Sequence, residues 1–509
     1  MTPSKIAIAL YSKVLRVVRE MAEDPFLSAL KLLLLAICVY VTVFVIFNYT
    51  QNWTHPELPM HSYDKVLKKG HLFSPRDFKL MFDMDSFNWA PRPRLLSHLQ
   101  EIWNIKFRVL LFRHLPSHPS LSLSWVWVLI VSPYFLFRLI KNISDSTYSP
   151  WIGLIIYFSS TAALSGLTMM FRPAKVLTIA FSLMALYTVS AVKAATPGQD
   201  WFPRRFRTLA AILLAGFLSD ETFVITYLAL PIIFPIRLGF FPFQTKRCLF
   251  YLSIFPAFAV LALYIIPLIS LSLGYMPEFT NILSSMRLAG DESVYSFQDR
   301  MGRFNPGALL FALGQLTQYQ LTPPSLFTWH DLTSGSFAAG TMKYFAVYAT
   351  IFIAGSILLH RRTGAPVIRW LTATLLAALT IKFIGGGYNY YYGSVSIVFF
   401  AVYWGIYFGS ARRVIWKAAS FAVLIFITWC SLSNFKLANE SAMQWHIPMM
   451  QQYFPAETAG MEGPKLTIRS AGEIWRHRDN CSYIEASRKD FAPIHFPFFY
   501  ELGKICKRS

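Results

Sequence analysis

The feature that most constrains this chain is a series of apolar runs, each about as long as a bilayer is thick and almost without charge. They fall near 27–48, 121–140, 150–168, 174–192, 208–219, 222–238, 248–273, 341–359, 366–384, 393–409 and 414–433, which makes about eleven. A helix needs roughly 20 apolar residues to cross a hydrocarbon layer about 30 Å thick. No water is present there to satisfy the backbone, so a spanning segment must be a helix or part of a closed barrel. The runs are continuous and not alternating, which argues against a barrel. Charged residues make up 14% and hydrophobic ones 55%, against about 25% charged in soluble domains. A soluble enzyme, a disordered chain and a disulfide scaffold are excluded on the same ground. The expected fold is an all-α polytopic membrane protein.

Orientation follows from the short loops. The first run is preceded by some two dozen residues and reads as a retained span, not a cleavable signal peptide. With Lys5, Lys13, Arg16 and Arg19 in the cytoplasm, the inner loops hold Arg138 and Lys141; Lys193, Arg204, Arg205 and Arg207; Arg237, Lys246 and Arg247; Arg361, Arg362 and Arg369; and Arg412, Arg413 and Lys417. That alternation obeys the positive-inside rule and leaves the C-terminus outside. The chain divides into a cytoplasmic segment 1–26, a membrane domain 27–433 with outer loops 50–120 and 274–340, and an outer region 434–509. The stretch 307–321, interrupted by Gln315, Gln318 and Gln320, reads as re-entrant or interfacial. The formal charge of +21 belongs to loop anchoring on anionic lipid and not to nucleic acid. Cys38, Cys248 and Cys430 read as buried thiols in apolar runs. Cys481 and Cys506 share the outer side, where an oxidising compartment allows them to pair.

This topology collects the chemically interesting residues on one face. The first outer loop carries Asp83 and Asp85, then Pro91-Arg92-Pro93-Arg94. A very short turn holds Arg172, and another holds Ser219-Asp220-Glu221-Thr222. The ninth and tenth spans are joined through three glycines and the cluster Tyr388, Tyr390, Tyr391 and Tyr392. Asp220 and Glu221 are the strongest signal, because adjacent acids at membrane depth face a cavity, a partner or a function. A turn exposed to water is the plainer alternative. Asp83 and Asp85 read either as loop carboxylates or as a pair converging on a metal or a hydroxyl proton. Arg172 can snorkel to lipid phosphate or hold a substrate phosphate in its planar fork. The tyrosines suit an aromatic belt or a sugar face. Residues 92–115 form an amphipathic pattern, with Leu95, Leu99, Ile102, Trp103 and Phe107 on one side and Arg94, His98, Glu101 and Asn104 on the other. It is expected to lie in the outer interface. The six histidines at 55, 61, 71, 98, 114 and 118 match no zinc spacing.

An inside N-terminus, a long first outer loop with an acidic motif, an interface helix after it and a second acidic pair between later spans together resemble the GT-C superfamily of integral-membrane glycosyltransferases. The likeness covers roughly 27–240 best and is nearest to bacterial members that use polyprenyl-phosphate-linked sugars. It implies a catalytic acid in the first outer loop, here Asp83 or Asp85, and a further acidic site, here Asp220 and Glu221. It also implies basic residues that hold a lipid phosphate, for which Arg92, Arg94 and Arg172 are available. The inter-acid spacing and the Pro-Arg-Pro-Arg stretch depart from the family pattern, so the base stays open between the carboxylates. The implied partners are a polyprenyl-phosphate sugar donor, a glycan or lipid-linked acceptor and membrane lipids, with no nucleic acid. The need for a divalent metal stays open too. The implied site faces the periplasm or exterior from a bacterial inner membrane. The rival readings are a transporter or flippase of lipid-linked sugars, a polysaccharide polymerase or ligase, and a structural membrane subunit. A transporter would place its acids near the midplane and show repeated halves, and this chain has no repeat at a fixed period.

Overall fold

A computed structural model describes residues 24–47, 94–114, 123–168, 173–192, 202–238, 245–272, 357, 368–377 and 395–444. The described residues are helical. They comprise α1 Pro25–Phe47, α2 Leu95–His114, α3 Ser124–Ile143, α4 Ser149–Ser159, α5 Thr161–Thr168, α6 Pro173–Ser190, α7 Phe202–Phe217, α8 Val224–Ile233, α9 Pro235–Leu238, α10 Thr245–Val260, α11 Ile266–Ser272, α12 Ile368–Ala377, α13 Ser396–Gly409 and α14 Val414–Gln444. Among the described residues, three helical stretches are long and apolar enough to cross a membrane: Pro25–Val43, Ser124–Ile143 and Val414–Ser433. The 274–340 loop with its 307–321 stretch, the 341–359 run apart from residue 357, and Cys481 and Cys506 lie outside the described residues.

An apolar core packs the helices together, but the rest of the burial pattern differs from the one found in water. Small hydroxyls sit inside: Ser132, Ser149, Ser159, Ser160, Thr178, Ser182, Thr226 and Ser396 are completely buried. Large apolar side chains face outward, among them Leu32 and Leu35 on α1, Ile130 and Tyr134 on α3, Leu249 and Leu252 on α10, and Val423, Phe426 and Trp429 on α14. Lipid tails are as apolar as leucine, so such helices associate through close packing and interhelical hydrogen bonds. Ser182 and Thr226 share one such bond at 2.6 Å between α6 and α8. Tyr157 on α4 donates to the Val128 carbonyl of α3 at 3.2 Å.

Several elements differ from the sequence expectation. The run 150–168 is not one helix. It breaks at Ser160, where ψ turns to 124°, into α4 and α5. Helix α3 opens into a π turn at Trp127–Val131, and α10 passes through another at Leu261–Ile265 into α11. Of the three thiols, Cys430 is buried, whereas Cys38 and Cys248 are only half-buried.

Helix α2 differs most from its expected role. Leu95, Leu99 and Ile102 are buried as the periodicity requires, but so are Ser97, Gln100, Glu101, Asn104 and Lys106. A helix lying flat in the interface would leave that second face in water. Here the face is engaged by other helices. Gln100 donates to Asn104 at 3.1 Å, Asn104 donates to Ser124 of α3 at 3.1 Å, and the Trp127 indole donates to Gln100 at 3.2 Å.

Candidate functional site

The two ends of the bundle have opposite characters. At one end, Arg205 donates to the Ala191 carbonyl at 3.0 Å and Arg237 donates to the Ser190 carbonyl, so two cations close the C-terminus of α6. Terminal carbonyls carry the negative pole of the helix dipole, which favours cations there. Asn142 near the end of α3 joins them through a 3.1 Å bond to Ser190. Among the described residues, the basic loop residues Arg205 and Arg237 meet at that end. The acidic turn lies at the other.

That turn forms because α7 ends at Phe217 and the chain must reverse before α8 begins at Val224. Leu218, Ser219 and Asp220 make the reversal, and Glu221 opens a single 3-10 turn, Glu221–Phe223. Ser219 and Asp220 are completely buried, so the turn lies inside the protein. Non-helical backbone at that depth must find partners, and the first turn of α2 supplies them. The Leu96 amide donates to the Leu218 carbonyl at 3.1 Å, joining an unused donor of one helix start to an unused acceptor of another helix end. The Ser97 hydroxyl donates to the Ser219 carbonyl at 2.6 Å, across 122 residues of sequence. Replacing Ser97 with alanine should cost about 1 kcal/mol by stranding that buried carbonyl. Thermal denaturation in detergent would show it, and an unchanged midpoint would mean the bond contributes nothing.

This docking brings Arg94 beside Asp220. Its Nη2 lies 3.5 Å from Asp220 Oδ2. From the first turn of α6, Lys175 Nζ reaches Asp220 Oδ1 at 2.8 Å. Thr222 completes the cradle, donating to the same oxygen from its amide at 2.9 Å and its hydroxyl at 2.6 Å. Lys175 is also 3.4 Å from the Thr222 hydroxyl. The side chains are 15%, 5% and 0% exposed for Arg94, Lys175 and Asp220. Burial alone would push the carboxyl up. Arg94, Lys175 and the hydrogen bonds from Lys175 and Thr222 outweigh it and hold Asp220 well below the usual carboxylate range.

Chemically, one carboxylate here meets two cations. A carboxylate with so weak a hold on a proton makes a poor general base near neutral pH. It is well suited to fixing a guanidinium and an ammonium close together. Such a cation pair can stabilise charge that grows on a phosphate oxygen.

Of the expected site residues, the structure brings Arg94 and Asp220 together and places Glu221 next in the chain. Asp83, Asp85, Arg92, Arg172, Tyr388, Tyr390 and Tyr391 lie outside the described residues. Lys175 is a further residue of the site, concealed in the sequence by the apolar run 174–192. Its signal was a lone cation in the first turn of an otherwise apolar helix, two residues after Pro173. Among the described residues no three His, Cys, Asp or Glu side chains group closely enough to hold a metal ion.

No protein-family model matches the chain, and no curated protein is similar to it. Two solved structures align with it. One is the archaeal oligosaccharyltransferase AglB from Archaeoglobus fulgidus in complex with an inhibitory peptide and a dolichol-phosphate, at 14% identity and a TM-score of 0.36, covering 87% of this chain. The other is an Archaeoglobus fulgidus oligosaccharyltransferase tethered to an acceptor peptide containing the NVT sequon, at 13% identity and a TM-score of 0.38, covering 88% of this chain. The chain spans 59% of the length of each.

Proposed function

We propose that this chain is a membrane glycosyltransferase that moves a sugar from a polyprenyl-phosphate-linked donor to an acceptor on the non-cytosolic face. The observation that carries the reading is the meeting of Arg94, Lys175 and Asp220 at the end of the bundle away from the basic loops. Such a donor keeps its tail in the bilayer and presents its phosphate at the membrane surface. Cations gathered at the ends of apolar helices are where that phosphate would arrive.

In this reading the acceptor hydroxyl loses its proton to a carboxylate of the first outer loop, Asp83 or Asp85, as its oxygen attacks the anomeric carbon. The bond from that carbon to the phosphate oxygen breaks, and the charge left on the phosphate is held by Arg94 and Lys175, with Arg92 and Arg172 from the neighbouring loops. Asp220 keeps the two cations in place. Glu221 and the tyrosines at 388, 390 and 391 are assigned to binding the sugar or the acceptor. A single displacement inverts the anomeric centre. The protein sits in a bacterial inner membrane with this site toward the periplasm, where the acceptor is a glycan or a lipid-linked molecule.

The test is sugar transfer from a polyprenyl-phosphate donor in membranes carrying Asp83→Asn, Asp85→Asn, Asp220→Asn or Glu221→Gln. Loss of a general base lowers turnover by about 10²-fold or more. At least one of the first two variants should show that drop at normal protein level. Full activity in all four removes the reading. Uptake of labelled solute by reconstituted vesicles, with no transfer, would favour the transporter instead. Treatment with EDTA decides the metal question, since activity that survives it leaves the phosphate charge to the arginines and lysine.

A further inference from the structure

The opposite end of the bundle contains a cavity that the transferase reading does not use. Helix α3 has 20 residues, about 30 Å at 1.5 Å per residue. Its Ser124 end meets α2 at Asn104, and its Ile143 end lines the cavity. The space is about 1200 Å³ and lies between the α3–α4 connection and the α13–α14 connection. That exceeds the roughly 300–1,000 Å³ of most small-molecule pockets.

Its lining is cationic. Arg412, Arg413 and Lys417 face it against one carboxylate, Asp145. Lys417 is already engaged, donating to the Tyr148 hydroxyl at 2.7 Å while that hydroxyl bonds Asp24 at 2.9 Å. Arg412 and Arg413 are exposed and make no ion pair with any described residue. The wall hydroxyls are largely committed: Ser144 donates to Ser149 at 3.0 Å, Ser146 to the Gly409 carbonyl at 2.5 Å and Ser410 to the Tyr407 carbonyl at 2.7 Å. The two guanidinium groups are therefore the charged donors that the wall offers a ligand. Their planar forks match the oxygens of a phosphate.

The first turn of α14 indicates where that phosphate comes from. Val414, Ile415 and Trp416 follow the arginines and are 82%, 72% and 51% exposed. A soluble anion gains nothing from such a surface. A lipid does, because its chains cover the apolar turn while its headgroup reaches the cavity. We propose that this cavity binds the phosphate-bearing headgroup of an anionic phospholipid from the leaflet at the basic end, with Arg412 and Arg413 as its ligands and the exposed turn of α14 under its chains.

The test uses the full chain in detergent, titrated with phosphatidylglycerol, with phosphatidylcholine and with inorganic phosphate or pyrophosphate. Thermal denaturation and native mass spectrometry read the binding. Phosphatidylglycerol should stabilise the protein, and the double variant Arg412→Gln, Arg413→Gln should weaken that effect about tenfold or more, since charge-assisted hydrogen bonds are the strong ones. Lys141→Gln, an exposed cation at the same end that does not line the cavity, should leave it unchanged. Equal loss in Lys141→Gln and the double variant would reduce the effect to surface charge and overturn the proposal. Equal stabilisation by phosphate or pyrophosphate alone would make the ligand a soluble anion and overturn the lipid assignment. Both readouts are independent of sugar transfer, so the fate of the transferase reading does not decide this one.

Discussion

Asp220→Asn will lower the stability of the protein by about 3–5 kcal/mol, the usual cost of removing one partner from a buried charge pair. The magnitude follows from completeness of burial. Asp220 is 0% exposed and Lys175 only 5%, so the ammonium left behind cannot turn to water. The asparagine oxygen still accepts from Thr222, but it supplies no charge to Lys175 or Arg94. The companion variant is Asp220→Asn with Lys175→Met. Removing both partners of a buried pair is milder than removing one, so the double variant should regain much of the lost stability. It should not regain sugar transfer, because the cation assigned to the phosphate is gone. Thermal denaturation in detergent and transfer in membranes separate the two roles. Additive stability losses in the double variant would show that Asp220 and Lys175 do not act as a pair. The pH dependence has a definite sign. The folded carboxyl is held below its unfolded value, so its contribution is full above the ordinary carboxylate range and is lost as pH falls through and below it.

The sequence was readable where burial and membrane span coincide. The run near 27–48 is α1, the run near 174–192 is α6, and the amphipathic stretch near 92–115 is α2. Asp220 could be singled out because a carboxylate between apolar runs must be compensated, and the structure shows the compensation. What could not be read is the identity of the partner. Lys175 lies 45 residues earlier, and only the packing of α6 against the α7–α8 turn makes them neighbours. The partners of helix α2 are hidden for a related reason. Its Asn104 looks like part of a solvated face by periodicity, but it donates to Ser124 of α3, and its neighbour Gln100 accepts from Trp127. Periodicity separates two faces of a helix without saying whether water or another helix covers the polar one. The break at Ser160 was hidden because the serine sits inside a run whose hydropathy does not change.

Gly409→Leu will disrupt the bundle more than any substitution of an outward-facing side chain. Gly405 and Gly409 on α13 face Ser149 and Gly153 on α4, a small-xxx-small pair on both sides of one seam. A Cβ at Gly405 would lie 3.0 Å from the Ser149 carbonyl oxygen and 3.2 Å from the Gly153 Cα. A Cβ at Gly409 would lie 2.7 Å from the Ser149 Cα and 2.8 Å from its amide nitrogen. These are backbone atoms and cannot swing aside, so the helices must separate. Separation would also break the 2.5 Å bond from Ser146 to the Gly409 carbonyl. Alanine provides the sharper diagnostic. In an ordinary helix Gly→Ala stabilises by up to about 1 kcal/mol. At this seam overpacking costs about 1–3 kcal/mol, so Gly409→Ala should destabilise and Gly409→Leu should lose the folded protein. Ile415→Ala, on the exposed turn of α14, should change stability by no more than about 0.5 kcal/mol. Size-exclusion profiles and thermal denaturation in detergent measure all three. A Gly409→Ala protein as stable as the parent would mean that α4 and α13 do not meet at this distance.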